Sequence, residues 1–174
     1  MKPELQRIVF ATDLSEDATP VFRYAVSLAE KYQGRIYAIH VTEPLDGFAR
    51  SLVDATLGEE KARSIREQKK RELFEDIHTR VQNFCRDEVC RLVDPENDPV
   101  AEIALREGYP ATEILKYCKS IQADIIVLGA HRWKGATHLF GSTARSVLHD
   151  ARIPVLVVHP QGEEIGRASC MERV

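Results

Sequence analysis

A basic excess is the first thing this sequence lacks. Lys and Arg total 24 against 27 Asp and Glu, a formal net charge of −3. Attraction to DNA or RNA through bulk charge is therefore not expected. Long hydrophobic runs are also missing: Ile125–Leu128 and Ile153–Val158 fall far short of the ~20 residues of a membrane span. Glu4, Gln6 and Arg7 break up the N-terminal segment, so no signal-peptide core is read there, and a cytoplasmic protein is expected. Cysteine is scarce. The four residues at 85, 90, 118 and 170 show no CxxC and no His/Cys pairs at metal-finger spacing, which speaks against a metal centre or a disulfide framework. Cys85 and Cys118 read instead as reduced thiols on apolar helix faces. Three phosphate and nucleophile signatures are absent as well: GxxxxGK[ST], GxGxxG and GxSxG.

What is present is a regular alternation. A content of 44% hydrophobic and 29% charged residues over 174 positions suits one domain, since domains average roughly 150 residues. Ile8–Ala11 is a short apolar run followed by Thr12-Asp13, as in a buried strand. The cap-rich stretch 15–20, with Pro20 suited to a first turn, opens a helix with Val21, Ala25, Leu28, Ala29 and Tyr32 at helical spacing and Gly34 as its stop. Ile36–Val41 is the second strand. Strand, helix and strand in so short a span predict a parallel pair with a right-handed crossover.

Residues 43–58 are irregular. A charged helix then runs from about Glu59, polar nearly all round at first, with Phe74, Ile77, Val81, Phe84 and Cys85 later sharing one face. The early charges read as a solvated face rather than an anion-binding surface. Residues 94–99 read as a turn or insertion. Ala101–Glu107 alternates as an edge strand does, and Pro110 opens a helix with Ile114, Leu115, Cys118 and Ile121 inward. Asp124–Gly129 is a central strand buried on both faces. The last helix covers 142–150, with Ala144, Val147 and Leu148 inward, and Pro154–His159 is the final strand. The expectation is one doubly wound α/β domain, 1–160, with a five-stranded parallel sheet, helices on both faces and a polar tail, 161–174.

In such sheets ligands bind beyond the carboxyl ends of the strands. Asp13 follows the first strand. Gly129 leaves the central strand, and Gly141-Ser142-Thr143 opens the last helix, where N–H groups and hydroxyls make a phosphate site. The plainer alternatives are that Gly129 is a turn glycine, Gly141-Ser142 an N-cap and Asp13 the cap of the first helix. His131 and His138 have no assignable Ser or Cys partner.

Three segments, Arg7–Ser15, Ala123–Gly129 and Pro154–Val158, together resemble the universal stress protein family over nearly the whole chain. The resemblance implies the sheet order 3-2-1-4-5, a dimer, and ATP, with Mg²⁺ where required, as cofactor. It also implies a signature of Gly, two residues, Gly, about nine residues and Gly-Ser/Thr. Gly129 and Gly141-Ser142 match; Arg132 stands where the second Gly belongs, and the loop is about one residue short. By this resemblance Asp13 and Val41 meet the adenosine, with Thr12 and Leu128 lining the same pocket. Gly129 passes the triphosphate, and Gly141, Ser142 and Thr143 bind phosphates. Ala11, His131, Arg132 and Ala144 complete the implied set.

Two readings follow: an adenine-nucleotide-binding stress protein, or an interaction dimer whose site Arg132 has closed. Turnover as an enzyme is expected to be slow or absent, because no base is assignable for phosphoryl transfer. The hydroxyls of Ser142 and Thr143 are read as helix caps rather than self-phosphorylation sites. The implied strand order leaves the last strand at the sheet edge, and its uncharged Val155, Leu156, Val157 and Val158 are read as the dimer contact, the alternative being that the polar tail 161–174 covers this edge.

Overall fold

A computed structural model describes residues 4–15, 17–43, 59–92, 98–130 and 141–159. The expected segments 43–58 and 94–99 fall largely outside this set, and the tail 161–174 lies wholly outside it. The elements alternate as β1 (Arg7–Ala11), α1 (Ala18–Tyr32), β2 (Arg35–Thr42), α2 (Glu59–Leu92), β3 (Val100–Glu107), α3 (Pro110–Ile121), β4 (Ile125–Gly129), α4 (Ser142–Asp150) and β5 (Val155–Val158). The five strands form one parallel sheet in the order β3-β2-β1-β4-β5. β1 therefore lies between β2 and β4, and the order reverses direction at β1, which is where such folds open a crevice.

The period-two alternation of the strands sends neighbouring residues to opposite faces. Ile8 and Phe10 of β1 pack with α1 and α2 on one face, through Phe22, Val26, Ile77 and Val81. Val9, Ile126 and Leu128 pack with α3 and α4 on the other, through Ile114, Cys118, Ala144 and Val147. Phe10, Phe22 and Phe84 form an aromatic triangle with centroids 5.0, 5.4 and 6.3 Å apart. Truncating Phe10, whose side chain is fully buried, would cost about 3–5 kcal/mol. Glu88 of α2 is buried and paired with Arg23 of α1 at 3.4 Å, a cross-helix contact that the hydrophobic pattern does not announce.

Several expectations are corrected in detail. Leu148 is exposed, and Ala144 and Val147 alone are buried on α4; the i, i+3, i+4 spacing puts the three on one side, but periodicity does not say how much of that side the neighbouring elements cover. The left-handed C-cap of α1 is Gln33 rather than Gly34. Gly34 is required for a different reason, since a Cβ there would run into the Leu5 carbonyl. Cys85 and Cys118 are free and buried. Burial, aided at Cys85 by the charge of Asp98, pushes both thiols up to about 12, so neither is a nucleophile at neutral pH. Among the described residues no helix is long and apolar enough to cross a membrane.

Candidate functional site

The chain leaves β1 through a turn locked by its own side chains. The Leu14 N–H donates to Thr12 Oγ1 at 3.0 Å, and the Ser15 N–H donates to Asp13 Oδ1 at 3.0 Å. Leu14 sits between them at φ 61°, a left-handed conformation that a branched aliphatic residue adopts only where its surroundings hold it. The Thr12 N–H donates to the Ile39 carbonyl at 3.0 Å. His40 Nδ1 lies 2.8 Å from the Thr12 carbonyl oxygen; a carbonyl only accepts, so Nδ1 carries the proton. Asp13 is therefore a turn residue. The N-cap of α1 is Asp17, without a side-chain cap bond, so the reading of Asp13 as helix cap does not hold.

The opposite wall is built differently. Gly141 is the N-cap of α4 and Ser142 its first residue, and among the described residues no side chain caps the helix. Among the described residues the hydroxyls of Ser142 and Thr143 make no cap bond, and the N-cap position falls to Gly141, where the sequence expectation put both hydroxyls to capping. The first turn carries no carboxylate, and the leading N–H groups of a helix have no intrahelical acceptor. A positive potential is left there by the helix dipole.

Between these walls lies a cavity of about 610 Å³, a volume suited to a small organic ligand. Ala11, Thr12, Asp13, Val41, Leu128, Gly129, Gly141, Ser142, Thr143 and Ala144 all line it. Of the residues expected from the sequence only His131 and Arg132 are missing, and both lie outside the described residues. At Gly129 an added Cβ would press on Val21 Cγ2 at 3.2 Å, so the residue brings its backbone to the cavity and leaves α1 its place.

Sequence reasoning missed several lining residues. Ser15, Asp17 and Glu43 extend the wall on the β1–β2 side, and Pro110 and Ile114 enter from α3. Arg145 enters from α4; its signal was available, because it stands three residues after Ser142 and so shares its face. The others are brought in by tertiary packing that no local pattern encodes. Asp13, Asp17 and Glu43 put three carboxylates in the wall, where the sequence suggested one. Arg145 is the single cation among the described lining residues. One side is acidic and the other is a helix start with a cation.

Comparisons agree with this architecture. The model of the universal stress protein family matches residues 4–159. Universal stress protein G of Shigella flexneri is 31% identical over 150 residues, covering 86% of this chain and 92% of that protein. Among solved structures, UspA from Lactobacillus plantarum superposes with a TM-score of 0.60 at 22% identity, covering 90% of this chain and 99% of that one. The universal stress protein from Archaeoglobus fulgidus, solved in complex with dAMP, has a TM-score of 0.50 at 20% identity, covering 88% of this chain and 98% of that one. The match over almost the entire folded part, on this sheet order, decides it: the chain belongs to the universal stress protein family.

Proposed function

We propose that this protein binds an adenine nucleotide, ATP foremost, in the cavity between β1, β4 and the start of α4, and acts in the cytoplasm as a signalling or protective module under stress. The observation that carries the reading is that residues chosen from three separate strand ends and one helix start line a single cavity. The dAMP complex of the Archaeoglobus fulgidus relative supports the same ligand class. Asp13 and Val41 would take the adenosine end, with Thr12, Ala11 and Leu128 beside them. Gly141, Ser142, Thr143 and Ala144 would offer backbone N–H groups and hydroxyls to the phosphates.

Mg²⁺ would come with the nucleotide. Among the described residues no group of three His, Cys, Asp or Glu side chains could hold a metal ion by itself, so phosphate oxygens would supply the main ligands. Domain 1–160 would carry the whole site. β5 is an edge strand of the sheet, and its apolar Val155, Leu156, Val157 and Val158 would pair with a second copy about a two-fold axis. The other reading, an interaction dimer without nucleotide, turns on Arg132 in place of the signature glycine.

Calorimetric titration with adenosine, AMP, ADP and ATP separates the two readings. Saturable heat with the nucleotides supports the first; no heat at millimolar ATP, at several temperatures, leaves the second. Light scattering at micromolar concentration tests the assembly, with roughly twice the 19.7 kDa chain mass expected for a two-fold dimer.

A further inference from the structure

The cavity wall carries an electrostatic conflict. Arg145 lies one turn into α4, close to the positive end of the helix dipole, where a cation is unfavourable. No carboxylate stands in the first turn to offset it. No ion pair involving Arg145 is found among the described residues, and the side chain is exposed. The carboxylates that line the cavity, Asp13, Asp17 and Glu43, come from the β1–β2 side. Arg145 thus adds positive charge to a wall already electropositive, and the other lining residues among those described are acidic or uncharged. Departures from local electrostatic rules are expected where a site is built for a ligand.

We propose that Arg145 is the residue by which this cavity reads phosphate charge, favouring a nucleoside di- or triphosphate over the nucleoside alone. The inference rests on the adenine-nucleotide reading above and adds to it a specificity residue. A guanidinium forms paired, charge-assisted hydrogen bonds with phosphate oxygens, and it shares the exposed face of α4 with Ser142. The adenosine end would be indifferent to it, since the carboxylates Asp13, Asp17 and Glu43 belong to the other wall. An anion seated here would answer the helix N–H groups and the guanidinium together, removing the conflict.

The test uses the full chain, as wild type, Arg145→Gln and Arg145→Lys, each titrated with adenosine, AMP, ADP and ATP. For Arg145→Gln the affinity ratio of ATP to adenosine should fall about tenfold, as for loss of a charge-assisted hydrogen bond. Adenosine binding itself should hold. Lys keeps the charge without the planar fork and should restore part of the ratio. The thermal midpoint of the nucleotide-free Gln variant should equal or exceed that of wild type, because a repulsion is removed. A Gln variant that loses adenosine and ATP in equal measure, or neither, overturns the role of Arg145 while leaving the nucleotide reading standing. Wild type that binds none of the four ligands overturns the nucleotide reading and this inference with it.

Discussion

The two walls of the cavity face each other but are organised on opposite principles. On the β1 side every polar group that shapes the turn has an internal partner: Thr12 and Asp13 side chains hold the Leu14 and Ser15 N–H groups, and His40 holds the Thr12 carbonyl. On the α4 side the helix begins, among the described residues, without a side-chain cap, with no carboxylate in its first turn and with an arginine one turn along. The turn of the first wall is hydrogen-bonded within itself without a ligand, and Leu14 at φ 61° is held there at some conformational cost. The second wall, among the described residues, has no side chain on its leading donors. The difference teaches that shape is supplied by one wall and hydrogen-bonding capacity by the other, so substitutions on the two sides should fail in different ways.

The largest effect is expected at the open wall. Gly141 has φ −65°, a value any residue can adopt, so Gly141→Val should fold. Its branched side chain would crowd the first N–H donors of α4, and ATP affinity should drop by roughly tenfold to a hundredfold, the worth of one charge-assisted hydrogen bond. Adenosine should be far less affected. Equal loss of both ligands in calorimetry would erase the distinction between the walls.

Asp13→Ala breaks the closed wall instead. It removes the acceptor for the Ser15 N–H, which should lower stability by about 0.5–1.5 kcal/mol. Adenosine, AMP and ATP should all weaken by a similar factor, because the loss lies at their common end. Asp13→Asn keeps an acceptor oxygen and should recover the stability in chemical denaturation. If Asn unfolds as readily as Ala, the turn bond does not carry the effect.

Salt gives a smaller and cleaner contrast. The open wall acts through charge at a solvent-exposed position, and the Debye length shortens from about 10 Å at 0.1 M to 3 Å at 1 M. ATP affinity should fall several-fold across that range while adenosine affinity stays level. The smallest effect is Ser142→Ala. With Gly141 as N-cap and no side-chain cap bond, the change should move stability by no more than about 0.5 kcal/mol. A loss of about 1 kcal/mol, the usual worth of a capping hydroxyl, would show that Ser142 caps the helix after all.

The same contrast explains what could be read from the sequence. Strand and helix identity was legible because Ile8–Phe10 and Ile125–Leu128 are apolar runs, and α1, α3 and α4 repeat at helical spacing. The Gly-Ser step at 141–142 marked the open wall, since a helix start is a local event. The closed wall was only half legible. Asp13 could be named, but its role as a turn acceptor depends on Leu14 adopting a left-handed conformation that no residue preference suggests. Glu43 and Asp17 reach the cavity only once β1 and β2 lie side by side. Pro110 and Ile114 arrive from a helix that follows the edge strand β3. Sheet order came from the family resemblance alone, because hydrophobic patterning fixes which face is buried and leaves neighbours in the sheet undetermined.

The central claim is that these two unlike walls together hold an adenine nucleotide, and calorimetric titration of the wild-type chain with ATP tests it most directly. The account predicts saturable binding of one nucleotide per chain, with affinity weakened by added salt. No detectable heat at millimolar ATP, at several temperatures and low ionic strength, would contradict it.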